Sequence, residues 1–252
     1  MAGLSGKHAL VTGGGTGVGA AIAIALAKAG ATVTITGRRA SPLEDIAKDH
    51  AGIHAAICDV TSQQAVSDVF DAISTRHGTP SIIVANAGAA EIAPLTKSSL
   101  ELWNAMLEVN LTGVFLTFRE AMKRLEKDDW GRMVAVASTA GLKGYAYTSA
   151  YCAAKHGVIG LVRALANEHA KSSVTFNAVC PGFTDTPMLD AAIDNIIEKT
   201  GMSNEDARAA LASTNPQGRF VQPEEVAASV MWLVGDGSGA VNGQAKIGRA
   251  HV

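Results

Sequence analysis

Six short runs rich in β-branched and small apolar residues punctuate the chain: HALVT (8–12), TVTIT (32–36), IHAAIC (53–58), SIIVA (81–85), RMVAVAS (132–138) and SVTFNAV (173–179). Between them lie longer stretches of helical pattern, including VGAAIAIALAKAG, SPLEDIAKDH and SQQAVSDVFDAISTRHG, and the segments 99–127 and 149–170. Several of the short runs are apolar at nearly every position. A strand of that kind needs cover on both faces, which crossover helices on a parallel sheet supply. Repeated βα units of this size predict a doubly wound α/β fold of Rossmann type: one domain, with a parallel sheet between two helix layers. No Pro/Ser-rich linker, charge block or solenoid repeat interrupts the pattern.

The rhythm breaks between Pro187 and Phe220, where extra helical patterns intervene before the helix expected at 223–234. Ser203 with Asp206 three residues on resembles a capping box in which Asp replaces the usual Glu. An insertion at about 187–220 follows the carboxyl end of a strand, where open α/β sheets bind ligands. It reads either as a lid or as a packing elaboration, and the residues do not choose between them.

Composition narrows the classes. The formal net charge is −2 and 48% of the residues are apolar, which is out of keeping with a nucleic-acid binder. The N-terminus lacks the pattern of a signal peptide, and no apolar run approaches the roughly 20 residues that span a bilayer. Cys58, Cys152 and Cys180 are odd in number and unpatterned, so they read as reduced thiols of a cytoplasmic protein, with no metal site implied.

VTGGGTGVGAAIAIAL follows the first strand and opens the first helix. Gly13, Gly17 and Gly19 allow a tight turn and let the backbone approach a pyrophosphate at the helix N-terminus. No Gly-Lys-Ser/Thr follows, which excludes a P-loop. A methyltransferase would normally carry an acidic residue after the second strand, where this chain has Gly37-Arg38-Arg39. An acidic side chain there suits the free ribose hydroxyl of NAD, and an Arg suits the 2′-phosphate of NADP. Arg38, helped by Arg39, is therefore the candidate phosphate ligand, with two solvated arginines at a turn as the alternative. NADP(H) is expected in preference to NAD(H).

With these pieces the chain resembles the short-chain dehydrogenase/reductase family over nearly its whole length. The resemblance rests on TGGGTGVG (12–19), CDV (58–60), ANAG (85–88), NLTGVF (110–115), Ser138, YCAAK (151–155) and NAVCPGFTDTPM (177–188), in that order. ASTAGLKGY, YCAAKHGVIGLVRALA and GRFVQPEEVA bring it nearest to the ketoacyl and polyketide ketoreductase branch.

The resemblance implies a tyrosine acid/base in a Tyr-x-x-x-Lys pair. All three tyrosines of the chain fall between 145 and 151. Only Tyr151 has a lysine, Lys155, four residues on, the spacing that shares a helix face. A free phenol titrates near ~10, so acting near neutrality asks for a shift of about 3 units, part of which a nearby cation can supply. Tyr145 and Tyr147 are left as pocket wall or surface packing.

By the same resemblance Ser138 hydrogen-bonds the substrate oxygen, and Asn110 anchors a water that links Lys155 to solvent. Lys155 also holds the nicotinamide ribose, beside Tyr151. The dinucleotide would further meet Gly13, Thr16, Gly17, Val18 and Gly19 in the loop, and Asp59 and Val60 at the adenine. Asn86, Ala87 and Gly88 would lie near the adenosine ribose, and Pro181, Gly182, Thr184 and Thr186 at the pyrophosphate and carboxamide. The implied reaction is hydride transfer between NADP(H) and a ketone or secondary alcohol, first a β-ketoacyl thioester. NAD-linked oxidation of a small alcohol or hydroxyacyl thioester is the alternative, and a non-catalytic dinucleotide sensor is a third class. A homo-oligomer, tetramer or dimer, built through the helices at 99–127 and 149–170 is implied as well. Arg119, Lys123, Arg124 and Lys127 could meet an acidic carrier protein, although a solvated helix face explains them more simply.

The chain departs from the family pattern twice. Ala85 stands where an asparagine is common before Asn86, which removes a side-chain hydrogen bond and no catalytic group. After VNGQA the chain reads KIGRAHV, and IGRAHV matches one reading frame of a common sequencing adapter. The catalytic domain is then expected over 1–246 with a non-native tail at 247–252, an unusual genuine tail being the alternative.

Overall fold

Alternation along the strands divides the apolar residues between two cores. Leu10, Ile83, Met133 and Phe176 face one side of the sheet, while Ala9, Val11, Ile82, Val84 and Val134 face the other. Successive strand side chains point to opposite faces, so a run apolar throughout feeds both cores. The computed structural model describes residues 3–126 and 129–247, the last of these for its backbone alone.

The strands are β1 (His8–Thr12), β2 (Thr32–Gly37), β3 (Ile53–Ile57), β4 (Ile82–Ala85), β5 (Gly131–Val136), β6 (Val174–Cys180) and β7 (Ala245–Ile247). They form one sheet in the order β3-β2-β1-β4-β5-β6-β7, every pairing parallel. Three helices close the first core: α3 (Gln63–His77), α5 (Gly113–Met122) and α6 (Ser149–Glu168). The second lies under α1 (Gly17–Lys28), α2 (Ala40–Asp49) and α9 (Pro223–Val234). This is the doubly wound architecture. The chain order reverses between β1 and β4, which opens a crevice at the carboxyl ends of those strands.

Helix α3 shows how the local pattern specifies the element. Ser62 caps it, its hydroxyl accepting from the Ala65 N–H, and Val66, Val69, Phe70 and Ile73 form its buried stripe. The segment 99–127 departs from a single helix. It comprises α4 (Leu100–Leu107), a π-helical turn over Glu108–Thr112, and α5.

The cations of that segment share one buried partner, while Lys123 stays exposed. Glu120 on α5 is buried and pairs with Lys123 at 2.8 Å, Arg124 at 2.8 Å and Arg119 at 3.3 Å. Arg124 also reaches Asp71 on α3 at 2.6 Å, so it ties two helices together. Lys127 lies outside the described residues.

The insertion forms α7 (Pro187–Thr200) and α8 (Asn204–Ala212), which enclose a small core of Leu189, Ile193 and Ala207. Helix α7 begins at the Thr186 cap with Pro187 in its first turn, and ends at Gly201, whose φ of 72° is left-handed. At α8 the expected capping box is one-sided. The Ser203 hydroxyl accepts from the Asp206 N–H, but the shorter Asp carboxylate accepts from that same hydroxyl and not from the backbone. In β7, Ile247 pairs with Cys180, and the rest of the expected non-native tail lies outside the described residues.

Candidate active site

The glycine loop is shaped by contacts that no side chain could share. Gly13 and Gly17 have φ of 65° and 53°, which only glycine adopts without strain. A Cβ on Gly19 would run into the Gly13 carbonyl oxygen and the Asn86 carboxamide. From the far side of the switch point, Asn86 Nδ2 donates to the carbonyls of Thr12 (3.0 Å) and Gly13 (3.1 Å). The Thr12 hydroxyl accepts from the N–H groups of Asn86 and Ala87, both at 3.0 Å. Asn86 therefore spends both its amide hydrogens on holding β1 and its loop against β4. Thr12 was not among the expected residues; its only sequence signal is its place at the strand end before the glycines.

A cleft of about 1160 Å³ runs across the carboxyl ends of the strands and is lined by all the expected site residues. Gly13, Thr16, Gly17, Val18 and Gly19 line it, with Asn86, Ala87 and Gly88 packed beside them. Arg38 and Arg39, at the end of β2, are exposed and make no hydrogen bond or ion pair among the described residues. Asp59 and Val60 line the same end. The Asp59 carboxylate accepts from the Thr61 N–H (3.0 Å) and hydroxyl (2.8 Å). The Thr61 N–H bond is the main cause holding its pKa down, and Arg38 adds to the effect. Pro181, Gly182, Thr184 and Thr186, after β6, close the other end.

The chemistry-bearing groups meet at the middle of the cleft. Tyr151 and Lys155 lie one turn apart on α6, with Nζ 5.7 Å from the phenol ring centroid and 3.0 Å from the Val136 carbonyl oxygen. Ser138 lies two residues past the end of β5, and its hydroxyl caps a short 3₁₀ turn by accepting from the Ala140 N–H. Asn110, fully buried in the π turn, donates to the carbonyls of Ala89 (2.8 Å) and Met106 (3.0 Å). A Cβ on Gly88 would lie 2.7 Å from Asn110 Oδ1 and 3.7 Å from Lys155 Nζ, which shows how tightly these three residues converge. Tyr145 lines the cleft and shares a 2.8 Å hydrogen bond with Thr139. Tyr147 is 63% exposed, has a φ of 65° and is not part of the lining.

The electrostatics correct one expectation. Burial pushes the Tyr151 phenol up from its ordinary pKa, and the neighbouring Ser138 hydroxyl offsets this only in part. Burial also pushes Lys155 down to about 8. The helical spacing pointed to a cation that would lower the phenol; in the protein alone desolvation raises it, and Lys155 is not among the groups that act on it. The site holds a phenol, a hydroxyl beside it and a buried amine beneath, all opening onto a cleft edged by a glycine-rich loop at a helix N-terminus. That combination defines a dinucleotide-dependent oxidoreductase.

Comparison with known proteins gives the class its family. The short chain dehydrogenase family model matches residues 7–196, and the chain belongs to that family of NAD(P)-dependent oxidoreductases. It is 36% identical over 193 residues to D-β-hydroxybutyrate dehydrogenase of Cupriavidus necator, covering 76% of this chain and 74% of that one. It is 34% identical over 206 residues to 3-oxoacyl-[acyl-carrier-protein] reductase of Thermotoga maritima, covering 80% and 79%. A crystal structure of a variant of actinorhodin polyketide ketoreductase with NADPH superimposes with a TM-score of 0.92 at 36% identity, covering 96% of this chain and 95% of that one.

Proposed function

We propose that the protein reduces a ketone to a secondary alcohol with NADPH, the preferred substrate being a β-ketoacyl thioester or related neutral ketone. The observation that carries the reading is one cleft with Tyr151, Ser138 and Lys155 at its centre and two exposed, unpaired arginines at one end. The residues fit a dinucleotide. Gly13 and Gly19 stand where an added Cβ would clash, helix α1 presents its N-terminus there, and Arg38 and Arg39 suit a 2′-phosphate. When bound, the nicotinamide supplies hydride to the carbonyl carbon.

The chain's own groups do the rest. Ser138 holds the carbonyl oxygen and steadies its growing charge. Tyr151 gives that oxygen its proton, a role suited by a phenol that burial keeps protonated. Lys155 and Asn110 form the path by which the proton is replaced. Pro181, Gly182, Thr184 and Thr186 border the nicotinamide end, and Asp59, Val60, Asn86, Ala87 and Gly88 border the adenosine.

The substrate end favours a neutral, apolar molecule. Around it stand Ala140, Tyr145, Phe183, Met188 and Ala192, together with the carboxylate of Glu91. The cations lining the cleft are Arg38, Arg39 and Lys155, so a free carboxylate such as hydroxybutyrate meets no additional one at this end. We read α7 and α8 as a lid on a single catalytic domain, because Met188, Ala191, Ala192 and Asn195 of α7 line the cleft above a core of their own. Exposed Leu100, Trp103 and Phe115 on α4 and α5 support a homo-oligomer, and three free buried thiols support a cytoplasmic home.

The test is a turnover screen of acetoacetyl thioesters, neutral keto esters and free keto acids, with NADPH and NADH at matched concentrations. NADPH oxidation that is fastest with the neutral ketones supports the reading. Faster turnover with NADH, or with hydroxy acids and NAD, overturns it.

A further inference from the structure

Asn215 lies between α8 and α9, 5% exposed and outside the lining of the cleft. Its carboxamide pairs with the backbone of a residue 32 positions earlier: Oδ1 accepts from the Phe183 N–H at 3.1 Å, and Nδ2 donates to the Phe183 carbonyl at 2.9 Å. Nδ2 donates a second time, to the Arg219 carbonyl at 2.8 Å. A carboxamide can present a donor and an acceptor side by side to one peptide unit, and here it acts as a one-residue strand partner. Real backbone pairing continues from it. The Val221 N–H donates to the Phe183 carbonyl and the Asp185 N–H to the Val221 carbonyl, each at 2.9 Å. A Cβ on Gly182 would collide with Asn215 Oδ1, so the glycine leaves the space that the carboxamide fills.

What Asn215 holds is the wall of the cleft. Pro181, Gly182 and Phe183 all line it. The Pro181 carbonyl accepts from the Thr139 N–H at 2.9 Å, next to Ser138. The Phe183 ring meets Tyr145 edge-on at 6.1 Å, and Tyr145 is bonded to Thr139. Phe183 also packs on the α7–α8 core. The base of the insertion, the aromatic wall and the strand end that carries the proposed nicotinamide contacts are therefore joined at one side chain. An apolar residue would fill the volume but would leave the Phe183 N–H without this partner.

We infer that Asn215 is a positioning residue: acting from behind the cleft, it fixes the Pro181–Phe183 backbone and so the pose of the nicotinamide end and the Phe183 wall. This rests on the reading of the cleft as a dinucleotide site.

The test compares two ligands on wild type, Asn215→Leu and Asn215→Asp. Equilibrium titrations measure NADPH and adenosine 2′,5′-bisphosphate, which carries the adenosine half and its phosphate but no nicotinamide. In both variants NADPH binding is expected to weaken about fivefold or more, since Asn215→Leu removes all three carboxamide bonds and Asn215→Asp the two that Nδ2 donates, while the bisphosphate stays within about twofold. The enantiomer ratio of the alcohol from a prochiral keto ester falls with it, a quantity that the amount of folded enzyme does not alter. If Asn215→Leu does not fold, Asn215→Asp carries the same measurements, since it keeps the volume and the contact with the Phe183 N–H. Equal weakening of both ligands, or a lower melting temperature with both affinities and the enantiomer ratio unchanged, overturns the inference. A wild-type protein that binds the bisphosphate and NADPH equally well also overturns it. Failure of wild type to bind either one overturns instead the dinucleotide reading beneath it.

Discussion

Lys155 is expected to cost the folded protein stability at neutral pH, and replacing it with methionine should release that cost. The ammonium is 3% exposed, and burial lowers its pKa from 10.5 to about 8. A shift of that size corresponds to about 3 kcal/mol of penalty on the charged form. The folded pKa lies below the unfolded one. Between about pH 8 and 10.5 the unfolded chain therefore still holds a proton that the folded protein has released, and stability rises with pH through that window. Below it the full penalty is present. Methionine has a similar length and no charge, but it forfeits the 3.0 Å bond to the Val136 carbonyl, a loss of about 1 kcal/mol. The net gain for Lys155→Met is about 2 kcal/mol at pH 7, or roughly 4–8 °C in melting temperature for a chain of this size. Thermal melts of both proteins without cofactor, from pH 6 to pH 10, are the assay. The difference should shrink as pH climbs past about 8, while Cys180, whose thiol burial pushes up to about 11, stays protonated. A variant that melts below wild type at pH 7, or a difference that ignores pH, would refute the reasoning. The stabilised variant should be inactive, as expected where a charge is buried for chemistry.

Tyr151→Phe keeps the ring and removes the proton, so turnover should fall by roughly 10²–10⁴-fold. Tyr147→Phe, at an exposed ring outside the cleft, should be near neutral, and similar losses in the two variants would contradict the assignment. Arg38→Asp should weaken NADPH by removing a charge-assisted bond and put a carboxylate against the 2′-phosphate. Wild type that already binds NADH more tightly than NADPH would show the arginines to be merely solvated. Gly19→Ala places a methyl against the Gly13 carbonyl and Asn86. It should cost about 1–3 kcal/mol in overpacking and displace the loop, read as a lower melting temperature and lost NADPH affinity. A melt and a titration that match wild type would mean that the loop opens without cost.

What could be read in the chain beforehand was whatever a local pattern encodes. Strand existence came through because two-faced burial demands apolar residues at every position, as Leu10 and Val11 serve opposite cores. The glycine loop came through because a left-handed φ at Gly13 and Gly17 restricts the residue that can stand there. Strand ends were less legible. The fifth run reads on to Ser138, yet β5 ends at Val136, and this lets the Ser138 hydroxyl turn out of the sheet to cap the next turn. The π turn at Asn110 was hidden because its neighbours Val109 and Leu111 fit a helix of either pitch; only the pull of the Ala89 loop on the carboxamide gives the bulge a purpose.

Residues whose roles are created by topology left least trace. Thr12 meets Asn86 across 74 positions because β1 and β4 are neighbours in the sheet, and Asn215 meets Phe183 only when the insertion folds back on the end of β6. The charge state of the proton donor belongs to this group as well. Spacing brings Lys155 beneath Tyr151, but the burial that raises one pKa and lowers the other comes from the walls of the cleft, contributed by segments scattered along the chain. Desolvation is a property of the assembled volume. A pair that looks from its spacing like a cation activating a phenol is therefore, in the folded protein alone, a phenol that burial keeps protonated above an ammonium that burial makes easier to discharge. That is the state suited to giving a proton to a ketone oxygen.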